Sequence, residues 1–425
     1  MHKLIDELTW RGMIQDIMPG TAEQLSKELT HGYIGFDPTA DSLHIGSLVP
    51  ILLLVHLQQA GHKPFALVGG ATGIVGDPTG KSEERIMLTK EVLKNNQAGI
   101  AAQLAKFLNF DEETPNAAVI VNNYDWFKDI SFLDFITDAG KHITVNYMMA
   151  KDSVKKRLES EQGMSFTEFT YQLIQGYDFY WLHQHANCKL QMGGSDQWGN
   201  IVTGTELIRR KAGQQAFAFT CPLIKKADGG KFGKSEAGNI WLDANKTSPY
   251  HFYQFWLNSS DADAESWIKI FTFLTQAHIE ELIEKHRTAP NQRLLQKTLA
   301  AELTLFVHGE AALEKAIVTT QKLFTSGESG EGILTEEALS AFEGIVNINI
   351  TKDALLSSDI TSLLTIAGIF TSKGEARKLI LNSGLSINRT KEIDPAKTLT
   401  ASDLLHQKFV LIQKGKRNYY LLTIA

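Results

Sequence analysis

The segment from Pro64 to Val68 is short and apolar, and a Gly-rich stretch from Gly69 to Gly80 follows it at once. An apolar run bounded by glycine predicts a buried strand. A strand, a Gly-rich turn and then a helix is the rhythm of a parallel sheet with helical crossovers. The pattern returns at Ala117 to Asn122, which ends in Asn-Asn-Tyr-Asp, and at Lys189 to Met192, just before Gly193-Gly194. Val49 to Gln59 predicts a buried helix after a loop. The expected fold class is therefore α/β, with a Rossmann-like parallel sheet whose ligands collect at the carboxyl ends of its strands.

Further along, Ser248-Pro249 suits a helix start, with serine as N-cap and proline at the first helical position. Helical periodicity continues to about Leu323, and Ser326 to Gly332 (SGESGEG) reads as a flexible acidic linker. The expected organisation is a sheet domain over 1–246, a helical domain over 247–325, a linker over 326–352 and a small α+β domain over 353–425.

Charge adds a functional hint. The 425-residue chain carries a net charge of −6, so it is no polycation. From Asp353 onward ten basic residues face six acidic ones, giving a tail of +4 on a remainder of −10. That asymmetry points to a polyanion contact, with an ordinary mixed surface as the alternative. Cys188 and Cys221 are too far apart for a Cys-x-x-Cys knuckle, so no structural metal is expected. Two reduced thiols suit a reducing cytoplasm. Asp6 and Glu7 come early with no apolar h-region, so no signal peptide is expected. The longest apolar run, Leu48 to Leu57, is broken by His56 and falls short of the ~20 residues that cross a bilayer. No membrane partner is expected.

Two short motifs carry the chemistry. Asp37-Pro38-Thr39-Ala40-Asp41-Ser42-Leu43-His44-Ile45-Gly46-Ser47 is a polar turn running into a helix. Backbone N–H groups at such a start favour anions, and Gly46 permits close approach. Far downstream, Lys231-Phe232-Gly233-Lys234-Ser235 follows the loop Asp228-Gly229-Gly230. Its two lysines and hydroxyl can surround a triphosphate. Gly76-Asp77-Pro78-Thr79-Gly80-Lys81-Ser82 imitates a P-loop, but the required first glycine falls on Val75, which excludes a Walker A loop. Tyr171, Gln175 and Asp178, spaced i, i+4, i+7, project from one helix face amid Phe166, Phe169, Leu173, Phe179 and Tyr180. They can line a polar pocket or form a solvated face.

The His-Ile-Gly-Ser and Lys-Phe-Gly-Lys-Ser segments resemble the two signatures of class I aminoacyl-tRNA synthetases. YIGFDPTADSLHIGS, LVGGATGIVGDPTGKS, VNYMMAKDSV, SFTEFTYQLIQGYDF and LQMGGSDQWGNI resemble the bacterial tyrosyl branch, and the likeness spans essentially the whole chain. The resemblance implies tyrosine activation by ATP, transfer to tRNA(Tyr), and a homodimer formed through a segment inserted in the first domain. It places Tyr33 and Asp178 on the substrate's phenolic hydroxyl. Asp77, Tyr171 and Gln175 would meet its ammonium group, and Gln197 would lie near its carboxylate. Asp37, Gly46, Ser47, Gly194 and Asp196 would bind ATP, with Thr39 and His44 at the outgoing phosphates. Lys81, Arg85, Lys231, Lys234 and Ser235 would be loop donors, and Mg²⁺ would arrive with ATP. The tail resembles a small RNA-binding module shared with a ribosomal small-subunit protein, so Lys373, Arg377, Lys378, Lys414, Lys416 and Arg417 are expected to face RNA. Ser47 departs from a signature that often has a second histidine, and Phe232-Gly233 from one that often has Met-Ser. The rivals are a tryptophanyl enzyme of the same fold and an RNA-binding paralogue without catalysis.

Overall fold

The structure is a computed structural model that describes residues 4–77, 88–159, 163–230, 232–235, 238–324, 339, 346–415 and 418–424. Contacts divide the chain into two compact units. One holds 1–247 and 255–307, and the other 248–254 and 308–425.

The first unit is built on a six-stranded sheet. Its strands are β1 (Asp16–Ile17), β2 (His31–Phe36), β3 (Lys63–Val68), β4 (Val119–Asn122), β5 (Cys188–Gly194) and β6 (Phe217–Cys221), in the order β1-β6-β5-β2-β3-β4. β2 to β6 run parallel, and β1 joins β6 antiparallel at the edge. The strand order reverses between β2 and β5. At such a switch point neighbouring crossovers leave on opposite faces and open a crevice at the carboxyl ends.

Helix α1 (Leu48–Gln59) is buried over most of its length, from Leu48 to Leu57 apart from Pro50, as a run without polar periodicity requires. The short helices α2 (Gly70–Val75) and α3 (Tyr124–Phe127) follow β3 and β4. Helix α4 (Phe166–Ala186) opens on a capping box of Ser165 and Glu168 and ends at Asn187, whose φ of 49° stops it. It packs along α5 (Trp198–Ala212). That approach depends on Gly204, where a Cβ would stand 2.8 Å from Cβ of Phe179.

The predicted helical stretch is present as α6 (Pro249–Leu257), α7 (Asp261–Phe271), α8 (Gln276–Thr288), α9 (Leu294–His308) and α10 (Glu310–Phe324). The Ser248 hydroxyl accepts from the His251 amide, as a cap should. These helices do not separate as a unit of their own, because 255–307 packs with the sheet residues. Arg11 shows how: its guanidinium donates to the carbonyls of Lys269, Thr272 and Leu274 at 2.6–2.8 Å, satisfying the orphan end of α7.

The second unit contains a five-stranded sheet of β9 (Val346–Ile350), β10 (Leu385–Ile387), β11 (Thr390–Glu392), β12 (Phe409–Lys414) and β13 (Asn418–Ile424), ordered β11-β10-β12-β13-β9. Helices α11 (Lys352–Ser357), α12 (Ile360–Ile366) and α13 (Lys373–Leu381) bury Leu355, Leu363 and Ile380 in its core. The expected linker thus ends early. Residues 346–350 alternate apolar and polar and pair in parallel with β13, so they belong to the sheet. Ser326 to Gly332 lies outside the described residues.

Replacing Arg11 by methionine leaves three carbonyls without their donor. The expected loss is about 2–4 kcal/mol, read as a lowered midpoint in thermal or urea unfolding.

Candidate active site

A cavity of about 640 Å³ opens at the carboxyl ends of β2 and β5. Its closed end is built around Asp178 on α4, which is 1% exposed. Trp126 Nε1 donates to Oδ1 at 2.9 Å, and Asn123 Nδ2 donates to Oδ2 at 3.0 Å. Asn123 is itself held by the Ala71 amide, which donates to its Oδ1 at 2.6 Å. Burial pushes the Asp178 carboxyl up to about 8. The two donors oppose that rise, and the nearby charge of Asp37 adds to it. Tyr33, on β2, is 1% exposed, and its hydroxyl has no partner among the described residues. A buried hydroxyl with nothing to bond is costly, so a hydroxyl lining this cavity beside a carboxylate is suited to a polar ligand atom.

The middle of the cavity is acidic and amide-lined. Tyr171 OH donates to Asp37 Oδ2 at 3.0 Å, and Thr72 donates to Asp37 Oδ1 at 2.8 Å. Gln197 Nε2 donates to Asp77 Oδ2 at 2.8 Å, and Asn200 Nδ2 donates to Gln197 Oε1 at 3.3 Å. Gln175 and Gln191 each keep a buried side-chain oxygen without a partner among the described residues. Carboxylates and amide oxygens together accept hydrogen bonds and favour a cation such as an ammonium group.

Sequence reasoning brought Tyr33, Asp77, Tyr171, Gln175, Asp178 and Gln197 to one place, and all six line the cavity. Asp37, expected at the nucleotide, follows directly on β2 and also lines the cavity, where its carboxylate accepts from Tyr171 and Thr72. Asn123, Trp126 and Thr72 were missed. Asn123 had a signal, since it follows the carboxyl end of a predicted strand. Trp126 had none.

At the open end the cavity is lined by Gly46, Gly193, Gly194, Asp196, Leu223 and Phe232. Burial raises Asp196, with Asp77 adding to the shift. Thr39 is exposed and, like His44 and Ser47, does not line the cavity. His44 Nδ1 accepts from the Gly46 amide at 3.0 Å, and the Ser47 amide donates to the His44 carbonyl. The free anion-binding amides expected at this turn are therefore engaged locally. Gly46 is needed for that packing, since a Cβ there would lie 2.6 Å from His44 Cε1.

The two signatures meet. The Ile45 amide donates to the Ile240 carbonyl, and the Leu242 amide to the Leu43 carbonyl, both at 2.9 Å. His44 stands edge-on to Trp241. β7 (Lys234–Ser235) and β8 (Gly238–Asn239) form a short hairpin just before this bridge. Phe232 roots the hairpin by stacking on Phe271 at 5.4 Å and meeting Trp256 and Trp267. An aromatic anchor accounts physically for phenylalanine at this signature position. Lys81, Arg85 and Lys231 lie outside the described residues, as do the side chains of Lys234 and Ser235.

In the second unit Lys373, Arg377 and Lys378 are exposed on α13. Lys414 differs: its ammonium donates to the Ile369 carbonyl and Glu375, both at 3.0 Å, and sits over the Phe370 ring. Its charge is used within the fold, which argues against the RNA role expected for it. Lys416 and Arg417 lie outside the described residues. Among the described residues no group of three His, Cys, Asp or Glu could hold a metal ion, and no helix is long and apolar enough to cross a membrane.

A parallel sheet with a buried acceptor pocket at its switch point and two signature loops beside it defines a nucleotide-dependent, amino-acid-activating class. The family model described as tRNA synthetases class I (W and Y) matches residues 26–325, and the tyrosine–tRNA ligase C-terminal domain model matches 337–422. The chain is 57% identical to the tyrosine–tRNA ligase of Flavobacterium johnsoniae over 432 residues, covering 100% of both. It is 58% identical to that of Parabacteroides distasonis, covering 98% of this chain and 99% of the relative. A crystal structure of a C-terminally truncated mitochondrial tyrosyl-tRNA synthetase from Aspergillus nidulans superposes with a TM-score of 0.68 at 30% identity, over 76% of this chain and 95% of that one. The chain belongs to the tyrosine–tRNA ligase family.

Replacing Phe232 by alanine should free the root of the hairpin while leaving the sheet intact. Limited proteolysis should then cut within 225–240 at least several times faster, with little change in the global unfolding midpoint. Unchanged cleavage would show that the ring does not anchor the loop.

Proposed function

We propose that the cavity binds L-tyrosine, activates it with ATP to tyrosyl-adenylate and pyrophosphate, and passes it to the 3′ end of tRNA(Tyr). The observation that carries the specificity is that the unpartnered Tyr33 hydroxyl and the Asp178 carboxyl line the same cavity. A phenol can donate to the carboxylate and accept from the Tyr33 hydroxyl. The indole of tryptophan can donate but offers no acceptor, and phenylalanine offers neither. Either leaves buried groups unpaired.

In this reading Asp37, Asp77, Tyr171 and Gln175 surround the ammonium group, and Gln197 orients Asp77. The substrate carboxylate, already ionised, attacks the α-phosphate in line. No protein base is required, and the site acts by alignment and by stabilising charge as it moves onto pyrophosphate. Gly194 and Asp196 face the ribose, while Thr39 and His44 are assigned to the outgoing phosphates. Lys81, Arg85, Lys231, Lys234 and Ser235 are assigned to the loops that close on them. Mg²⁺ would travel with ATP, held mainly by phosphate oxygens and water.

A homodimer is supported by the apolar side chains of Phe132, Leu133, Ile136, Val145 and Met149, each 42–71% exposed on the helices Phe132–Asp138 and Val145–Met149. Two free, buried cysteines suit a cytoplasmic setting. The tail is assigned to tRNA through Lys373, Arg377 and Lys378, with Lys416 and Arg417 as further candidates.

Pyrophosphate exchange should respond to tyrosine alone among the amino acids, and Asp178→Asn should raise its KM on the order of a hundredfold or more while retaining the fold. The ionisation of Asp178 gives a second signature. Its raised value leaves it mostly protonated at pH 7, whereas a donating phenol favours the ionised form. Tyrosine binding at pH 7 should therefore release a proton, with release fading above pH 8. Calorimetry in buffers of different ionisation enthalpy measures this, and Asp178→Asn should abolish it.

Truncation after Phe324 should separate the two steps. Pyrophosphate exchange should persist, while tRNA charging falls at least tenfold. The full chain's tRNA affinity should weaken with salt, because phosphate contacts release counterions. Equal charging by both forms would remove the tail from tRNA binding.

A further inference from the structure

Asn123 is fixed to Asp178 by its own backbone-bound amide, but Trp126 is not held in that way. It stands on α3, a helix of four residues, and its indole N–H is its one hydrogen-bonding group. The direction of that N–H is set by the plane of the ring. The Trp126 ring stacks on Trp181, with centroids 4.3 Å apart and planes 12° from parallel. Trp181 in turn stacks on His185 at 4.4 Å and 16°. His185 is exposed, and its Nδ1 lies 2.9 Å from the Trp181 carbonyl. Three flat rings thus form a column from the surface to the carboxylate of the pocket.

The geometry of α4 explains the column. Asp178, Trp181 and His185 are spaced i, i+3, i+7, so one helix face presents the carboxylate and both outer rings. Trp126 is the only member from another element. A single rigid helix therefore holds both the acceptor and the flat platform on which the donor lies. Tilting the indole would swing Nε1 away from Oδ1, and a hydrogen bond weakens steeply as it departs from linearity.

We propose that Trp181, backed by His185, is a positioning residue for amino-acid specificity: it holds the Trp126 indole in the plane that donates to Asp178. Trp181 is only half-buried, so its stacking contribution is separable from the core. This inference rests on the assignment of Asp178 to the phenolic hydroxyl of tyrosine.

The test uses the full chain and pyrophosphate exchange with tyrosine and with phenylalanine. Trp181→Leu removes the flat platform but keeps an apolar side chain. It should lower kcat/KM for tyrosine on the order of five- to tenfold, through KM, since a charge-assisted bond is misaligned rather than deleted. The kcat for tyrosine, the KM for ATP and the kcat/KM for phenylalanine should stay within about twofold, because phenylalanine has no hydroxyl to present. General damage to the fold would lower both amino acids together. Trp181→Phe, which restores a flat face, should recover most of the tyrosine preference. In a Trp126→Phe background the Trp181→Leu effect should vanish, as coupling through one bond requires. Should Trp181→Leu fail to fold, Trp181→Met carries the same comparison. Unchanged discrimination in the folded variant, or an equal loss for phenylalanine, would overturn the inference. If Asp178→Asn itself leaves tyrosine selection intact, the assignment of the pocket fails instead, whatever Trp181 does.

Discussion

A carboxylate sealed from water has to be compensated, and much of the first unit is arranged around compensating Asp178. Burial alone drives it toward the neutral acid, and two donors from the region after β4 draw it back. Those donors require α3 to sit against α4, and Asn123 requires the amide of Ala71 at the start of α2. Three helices from two crossovers of the sheet therefore converge on one side chain. Moving any of them would leave a buried charge or a buried donor without its partner, which costs more than losing an apolar contact. The acceptors in the middle of the crevice follow the same logic, with Tyr171 and Thr72 on Asp37 and Gln197 on Asp77.

The loops at the mouth are organised differently. Their backbones are joined by two hydrogen bonds between 43–45 and 240–242, and Phe232 buries an aromatic root among Trp256, Trp267 and Phe271. This arrangement fixes where the loop begins. Polar fixation at the closed end thus contrasts with apolar anchoring at the open end.

What could be read from the sequence follows from these two designs. The strands β3, β4 and β5 and the helix α1 announced themselves through apolar runs beside glycine. Tyr171, Gln175 and Asp178 were visible because one helix face carries them at regular spacing. Trp126 and Thr72 were not visible, since nothing local marks them and only the packing of α2, α3 and α4 brings them to the carboxylates. The partners of the Asp37 carboxylate, Tyr171 and Thr72, were not visible because its direction depends on where β2 stops. Strand β9 was mistaken for linker: five residues next to a flexible stretch carry too little periodicity to announce a strand. Lys414 counted as a surface cation by composition, whereas the fold gives it an internal acceptor.

The position of β13 in the tail has a consequence for the order of events during synthesis. Residues 418–424 form an interior strand, paired with β12 on one side and with β9 on the other. β9 is made some seventy residues earlier (Val346–Ile350), yet it has no strand to lie against until β13 emerges. The tail sheet therefore cannot close while residue 424 is still inside the ribosome, whereas every strand of the first sheet is already available. The unit with the pocket can fold while the tail is still being made, and the tail sheet closes only once residues 418–424 are free to pair.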